Sequence, residues 1–455
     1  MNTIQLSDHF TFKRLLRFTL PSILMMIFTS IYGVVDGFFV SNYVGKTPFA
    51  AVNFIMPFLM ILGSLGFMFG TGGSALIAKT FGERKPDKAK QLFSLFIYVT
   101  LICAIVLSVL GILFIRPIAA WLGAEGTLLE QCVLYGRIIL AALPAYMLQY
   151  EFQSFLVTAE KPQLGLVFTI AAGLTNMVLD ALFVAVFRWG LVGAAAATAV
   201  SQAVGGFAPL IYFFRPNTSL LRLTRTEYDG KALCAACING SSELMSNISM
   251  SIVSMLYNGQ LIKYAGEDGV AAYGVLMYVN MIFLAAFIGY SVGTAPIIGF
   301  HYGAQNHSEL KSLLKKSLRI IGIFSIAMFG LAEGLGGPLS QIFVGYDPAL
   351  FELTHRGFLI YSFSFLFSGI AIYGSSFFTA LNNGLISALI SFLRTLLFQV
   401  TAVLLFPLLW GIDGIWFSIV AAELMAAIVT ALFLILERKK YHYCSFAGKR
   451  FPRWF

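Results

Sequence analysis

The chain has 455 residues, of which 58% are hydrophobic and only 11% are charged, and its mean hydropathy is +0.84. Soluble domains carry about one-quarter charged residues, so this composition excludes an ordinary soluble protein and indicates a polytopic membrane protein. The net charge of +9 would suit a nucleic-acid partner, but the basic residues follow a topological pattern instead.

Twelve apolar runs are long enough to cross a bilayer, since a spanning helix needs about 20 apolar residues. The sequence therefore predicts an all-α polytopic membrane protein with twelve transmembrane helices. These are expected at residues 15–41, 53–79, 92–115, 133–157, 164–187, 191–214, 233–261, 272–300, 315–337, 354–380, 385–408 and 413–436.

The loops between these runs alternate in charge. With the N-terminus placed inside, the cytoplasmic segments hold 23 of the 30 Lys and Arg residues, whereas the outside loops hold five. This positive-inside bias predicts that both termini face the cytoplasm. We expect a multi-pass protein of a prokaryotic inner membrane, without a nucleic-acid partner.

The second half of the chain repeats the first at one constant offset in the sequence. Gly82 matches Gly303, Pro117 matches Pro338 and Gly136 matches Gly357, all with the same separation. Each copy contains six apolar runs, an even number, so both copies start on the same side and the repeat is parallel. We expect two six-helix lobes around a central cleft, with an N-lobe at 1–214, a cytoplasmic linker at 215–231, a C-lobe at 232–437 and a basic cytoplasmic tail at 438–455.

Asp36 lies near the outer end of the first run, and a carboxylate costs ~2.5–3.5 kcal/mol near the centre of a bilayer. Its expected neighbours follow from the hairpin of the fifth and sixth runs, which turns at Trp189. Asp180 lies nine residues before this turn and Thr198 nine residues after it, while Asn176 lies one helical turn from Asp180. Counted from the outer surface, these side chains are predicted to lie at the depth of Asp36.

Two carboxylates, an amide and a hydroxyl offer hard oxygen ligands, which suit a proton or Na⁺ and no soft transition metal. Two carboxylates in a low-dielectric site cannot both ionise cheaply, so the pair is predicted to bind its cation as a coupled unit. The repeat-related positions in the second half hold Tyr257, Leu397, Thr401 and Ile419. The acidic set is therefore confined to one lobe, which favours a functional cation site over a structural polar cluster.

With these residues the chain resembles the multidrug and toxic compound extrusion (MATE) family over nearly its whole length. The resemblance also rests on Gly82-Glu-Arg-Lys85, Thr158-Ala-Glu-Lys-Pro162 and Trp189-Gly-Leu-Val-Gly193. It implies a DinF-like cation site in the N-lobe and a bending proline at Pro21, whereas the segment around Glu243 is more similar to MepA-like relatives. Family members use Na⁺, H⁺ or either ion. The implied cation site consists of Asp36, Tyr135, Asn176, Asp180 and Thr198.

Further polar residues lie within the predicted helices of both lobes. Glu243 is either a substrate-facing carboxylate that attracts cationic drugs or an ion-pair partner of Arg394, for which Glu423 is a second candidate. Gln149 and Glu151 lie in the cytoplasmic half of the fourth run and are candidates for lining the cavity.

The sequence predicts a secondary active exporter that exchanges H⁺ or Na⁺ for cationic or amphipathic drugs by alternating access. No ATP site is visible, and we expect no enzymatic activity, no cofactor and no metal beyond the coupling Na⁺ at Asp36, Asn176, Asp180 and Thr198. The expected partners are small-molecule substrates and membrane lipids, and the expected state is a monomer. The alternative is a lipid-linked oligosaccharide or lipid flippase of the wider superfamily, which the scarcity of intramembrane Arg and Lys disfavours.

Overall fold

The computed structural model describes residues 4–345 and 347–443, and these residues form helices and loops without any strand. Among them, ten helices are long and apolar enough to span a membrane, and a bent pair forms an eleventh span. The spans are α1 Phe12–Val44, α2 Thr47–Gly82, α3 Pro86–Trp121, α4 Gly126–Ala141 with Leu143–Thr158, α5 Pro162–Val186, α6 Gly190–Phe214, the long element Gly230–Gly303, α9 His307–Val344, α10 Pro348–Ala380, α11 Gly384–Trp410 and α12 Ile412–Leu436.

The long element Gly230–Gly303 is two helices joined end to end. It has 74 residues, more than twice the length that a bilayer requires, and its backbone leaves the helical region at Gly266 (φ 62°, ψ −150°). A positive φ favours glycine because it has no Cβ. Counting residues 230–265 as α7 and 267–303 as α8 gives the twelve predicted spans.

The internal repeat extends to the irregular parts of the helices. In α4 the two segments meet at an angle of 57° around Ala142. In α10 a short 3₁₀ segment, Ser362–Ser364, occupies the repeat-related position. The same interruption in both lobes confirms the predicted fold class of two repeated six-helix units. A short helix, α13 Arg438–Tyr441, follows α12, and the predicted basic tail beyond residue 443 lies outside the described residues.

The two lobes meet at one end of the bundle. This end holds the connections α2–α3, α4–α5, α6–α7 and α8–α9. Together with the adjoining helix ends, the start of α1 and the helix α13, it carries most of the Lys and Arg residues, and we call it the basic end. A Cβ added at Gly82 of α2 would lie 2.0 Å from the carbonyl oxygen of Phe300 in α8. A Cβ at Gly303 would lie equally close to the carbonyl oxygen of Lys79. The backbones of α2 and α8 therefore touch across a pseudo-twofold axis.

Away from the basic end, the lobes diverge. Within the stretch Phe12–Phe39 of α1, the buried residues lie between Leu15 and Met26, whereas residues 27–39 are half-buried or exposed. Cβ atoms added at Gly259 of α7 and Gly274 of α8 would meet nothing within 4 Å. These features indicate a cleft between the lobes that opens at the opposite end of the bundle and is closed at the basic end.

Candidate functional site

The N-lobe brings the five predicted cation-site residues together around Asp36. The Thr198 hydroxyl donates to Asp36 Oδ1 at 3.4 Å. The side chains of Asn176 and Asp180 also interact with the Asp36 carboxylate. Tyr135 of α4 lies beside Asp36, Asp180 and Thr198. The site thus draws one or two side chains from each of four helices, α1, α4, α5 and α6.

The local backbone of α5 and α6 explains how these side chains reach one another. Directly after Asp180, α5 changes to a π-helical segment, Ala181–Val186. Such wide turns are rare and are frequent at functional sites. The following hairpin is tight, since a Cβ at Gly193 would lie 2.9 Å from the carbonyl oxygen of Phe183. This close approach holds Thr198 against the face of α5 that carries Asn176 and Asp180.

The floor of the site is deeply buried. Tyr135, Asn176 and Asp180 are 1%, 2% and 0% exposed, whereas Asp36 and Thr198 are half-buried. Both carboxylate oxygens of Asp180 and the Oδ1 atom of Asn176 have no hydrogen-bond partner within the described part of the chain. Buried acceptors normally have a partner, because leaving one unpaired costs about 1–3 kcal/mol.

These oxygens, which lack hydrogen-bond donors, are suitable ligands for a small hard cation. Among the ion pairs formed by the described residues, none includes Asp36 or Asp180. Carboxylate, amide and hydroxyl oxygens are the ligands that Na⁺ would take, and a shared proton would equally relieve the repulsion between two carboxylates. The donor set therefore fits either ion.

Gln149 and Glu151 have opposite surroundings, although both lie in α4. Gln149 donates through Nε2 to the Tyr32 hydroxyl at 3.3 Å, and Tyr32 lies one turn from Asp36 on α1. Glu151 is 0% exposed and lies beside Thr100 of α3. Glu151 is thus packed inside the N-lobe in this conformation, and its place in the cavity stays a prediction. Side chains two positions apart in an α-helix point in directions about 200° apart around its axis, so Gln149 and Glu151 cannot face the same side.

In the C-lobe, the Arg394 guanidinium pairs with Glu423. Arg394 Nε donates to both carboxylate oxygens of Glu423, at 2.9 and 3.1 Å, and the two side chains are only 13% and 4% exposed. Glu243 lies near Arg394 but forms no ion pair within 4 Å among the described residues, and it is half-buried. Of the two partners that the sequence offered for Arg394, the structure thus selects Glu423.

We expect Arg394→Met to lower the free energy of unfolding by about 3–5 kcal/mol, because it leaves the buried Glu423 carboxylate without its partner. The measurement is thermal unfolding of the detergent-purified protein. The double variant Arg394→Met/Glu423→Leu is the control and should recover most of the stability, since it removes both charges. A double variant as unstable as the single one would contradict this explanation.

The repeat-related position of the acidic site is neutral and aromatic. Tyr257, which corresponds to Asp36, shares a hydrogen bond of 2.7 Å with the Ser418 hydroxyl and stacks on Tyr273. The C-lobe thus fills this position with a buried ring. In α1, the helix continues through the buried Pro21 without a break, so its bending remains a prediction.

Comparison with known proteins agrees with this architecture. The MatE family model matches residues 21–182 and 244–404, one segment in each lobe. The multidrug export protein MepA of Staphylococcus haemolyticus is 24% identical over 426 residues, which cover 93% of this chain and 93% of that protein. MepA of Staphylococcus aureus is 23% identical over 430 residues, with 94% of each chain covered.

Solved structures show the same fold. The crystal structure of MATE in complex with MaL6 superposes with a TM-score of 0.92 at 22% identity, over 98% of this chain and 100% of that one. The outward-facing conformation of a multidrug resistance MATE family transporter gives a TM-score of 0.91 at 22% identity, over 98% and 99%. Because the family model spans well over half of the sequence, one segment in each lobe, this chain belongs to the MatE family.

Proposed function

We propose that this protein is an ion-coupled secondary exporter that exchanges H⁺ or Na⁺ for cationic or amphipathic drugs. The observation that carries the proposal is the pair Asp36 and Asp180, a half-buried and a fully buried carboxylate in one lobe of a membrane protein, without a basic partner among the described residues. Such groups mark ion pathways far more often than structural sites, because membrane burial makes them costly.

The relatives support the substrate class. The similar staphylococcal proteins carry the name multidrug export protein, and a cationic drug is the cargo that a half-buried carboxylate in the cleft attracts. Glu243 suits this role in the C-lobe, since Arg394 is neutralised by Glu423 rather than by Glu243. Because that guanidinium is paired, it is also a poor ligand for the pyrophosphate of a lipid-linked oligosaccharide, which disfavours the flippase alternative.

The basic end is assigned to the cytoplasm by the positive-inside rule. Under this assignment we take the protein to be in an outward-open state, and we propose that it acts as a monomer in a bacterial cell membrane with both termini in the cytoplasm. In this state Asp36 and Thr198 are half-buried beside the open cleft, so a cation can enter from outside. The N-lobe at 1–214 and the C-lobe at 232–437 would move against each other during transport, connected by the linker at 215–231.

Binding of one cation lowers the negative charge of the carboxylate pair by one and changes the relative free energies of the outward-open and inward-open states. One charge that crosses ~100 mV releases about 2.3 kcal/mol, and one favourable pH unit adds about 1.4 kcal/mol. At one-to-one coupling this supports a gradient of ~10²–10³-fold for an uncharged amphipathic substrate. Exchange of one cation for one monovalent cationic drug moves no net charge, so that only the ~10-fold contribution of the pH unit remains. Outward release of drug would follow cation uptake, and the cation would leave when the cleft opens to the cytoplasm.

The experiment uses purified protein reconstituted into vesicles loaded with ethidium. A pH gradient and a Na⁺ gradient are imposed separately, and dye movement is followed by fluorescence. We expect one of the two gradients to drive dye transport and the other to have a smaller effect. A rate of dye transport that is the same with and without either gradient would overturn the proposed coupling.

A further inference from the structure

The segment before α1, residues 4–11, runs as a non-helical strap across the basic end. Two of its side chains, Leu6 and Phe10, are completely buried. Both belong to one apolar cluster with Leu310 and Leu313 of α9 in the C-lobe. We call this segment the N-terminal strap. Its burial is unusual for a short polar-flanked segment outside the membrane helices, and it indicates a specific docking position.

The strap is hydrogen-bonded to both lobes. On the N-lobe side, the Leu6 amide donates to Glu160 Oε1 at 2.6 Å, in the connection between α4 and α5. On the C-lobe side, the Phe10 amide donates to Glu309 Oε1 at 2.9 Å, and His9 Nδ1 lies 2.6 Å from Glu309 Oε2. Lys316 Nζ donates to the Phe10 carbonyl oxygen. Two acidic residues, one in each lobe, therefore hold the backbone of the same short strap.

The linker before α7 occupies the repeat-related place on the other side of the axis. Position 88 corresponds to position 309, and Lys88 of α3 pairs with Asp229 at 2.8 Å. Leu221 of the linker is buried in a cluster with Leu92 of α3, as Leu6 is buried with Leu313 of α9. The linker and the N-terminal strap differ in how far their polar contacts are exposed. The Lys88 and Asp229 side chains are 47% and 32% exposed, whereas Glu309 is 7% exposed.

We propose that the N-terminal strap is a latch that holds the two lobes together at the basic end and must detach before that end can open. This inference rests on the proposed alternating-access function. Opening the basic end separates α2 from α8 and thus the α4–α5 connection from α9. The strap cannot keep its bonds to Glu160 and to Glu309 through that movement, because one is in each lobe. Closure of the basic end would allow the strap to dock again.

The latch is tested by distance measurements between spin labels on the two lobes. Asp87→Cys and Ser308→Cys place the labels at exposed, repeat-related positions of the basic end, in a background without the five native cysteines. Double electron–electron resonance in nanodiscs, without substrate or ion gradient, then reports the populations with short and long separations. A protein that fails to export dye still reports these populations, so failure of the exporter proposal and failure of the latch are separable.

We expect Glu309→Ala to raise the ratio of long to short separations about tenfold, because it removes a charged acceptor that serves two strap donors. Phe10→Ala should shift the ratio in the same direction through the loss of its buried ring. Lys88→Ala is the matched control and should change the ratio less than about twofold, since exposed ion pairs contribute little.

Two outcomes would overturn the latch. In the first, Glu309→Ala and Phe10→Ala both keep the parent distance distribution, whether or not their melting temperatures fall. In the second, Lys88→Ala shifts the distribution as much as Glu309→Ala does, which would mean that any lost contact at the basic end opens it.

Discussion

Asp36→Asn is expected to leave a folded, membrane-inserted protein that no longer exports ethidium against its gradient. The amide retains the shape of the carboxylate and still accepts the Thr198 hydroxyl, whose distance to Asp36 Oδ1 is 3.4 Å. It removes the charge that a cation neutralises, so binding of the ion no longer shifts the equilibrium between states. The gradient would then contribute nothing, and the ~10-fold accumulation that one pH unit supports for the monovalent ethidium cation at one-to-one exchange would be lost.

The internal repeat supplies the control for this experiment. Tyr257→Phe changes the repeat-related residue and removes its hydrogen bond with Ser418, whose hydroxyl still has the Ile415 carbonyl oxygen at 2.6 Å. We expect near-parental efflux from this variant. The measurement is dye efflux from vesicles that contain matched amounts of protein. Full efflux by Asp36→Asn, or an equal loss in Tyr257→Phe, would remove the argument for a cation site confined to the N-lobe.

Much of the architecture is predictable because bilayer physics restricts the possibilities. Span length, charge bias and the constant offset between the two halves define two parallel six-helix units. Depth counting from the hairpin turn at Trp189 also predicts that Asp180 and Thr198 meet, since an antiparallel hairpin fixes relative depth. The π-helical segment after Asp180 leaves no comparable trace in the sequence, because its apolar residues, Ala181–Val186, would suit an ordinary α-helix equally well.

The sequence predicts the depth of a residue in the membrane but not the direction in which its side chain points. Depth alone assigns Glu151 to the cavity region, but helix rotation turns it into the interior of the N-lobe beside Thr100. Depth also offers Glu243 as a partner for Arg394, with Glu423 as a second candidate, and the packing of α11 against α12 decides for Glu423. The N-terminal strap is absent from the prediction for a similar reason. Nothing local in residues 4–11 indicates docking on Glu160 and Glu309, which lie far away along the chain.

Gly82→Ala combined with Gly303→Ala is expected to prevent closure of the basic end and to abolish export. A Cβ at either position would lie 2.0 Å from a backbone carbonyl oxygen of the other lobe, Phe300 or Lys79. Backbone atoms cannot rotate away as a side chain can, so α2 and α8 must separate by more than about 1 Å to reach normal contact at about 3.5 Å. In an alternating-access exporter this favours the state in which the basic end is open.

The substitution does not act through the helices themselves, because Ala is favoured over Gly within a helix by up to about 1 kcal/mol. Gly322→Ala in α9 is the matched control, since a Cβ there would meet nothing within 4 Å. This variant should export dye as the parent does and should be equally or slightly more stable. Any loss of export in the double variant then reflects contact between the lobes rather than loss of a helical glycine.

Two measurements check this expectation. Dye efflux should fall to the background of empty vesicles, and spin labels at positions 87 and 308 should report mainly the long separation. If the double variant exports dye normally and keeps the short separation, the contact between α2 and α8 does not close the basic end. Because these glycines lie in the packed helices and the strap lies across their ends, adding Glu309→Ala should change the separation little once the glycines have been replaced. Such non-additivity would mean that the helix contact and the latch both control the same opening movement.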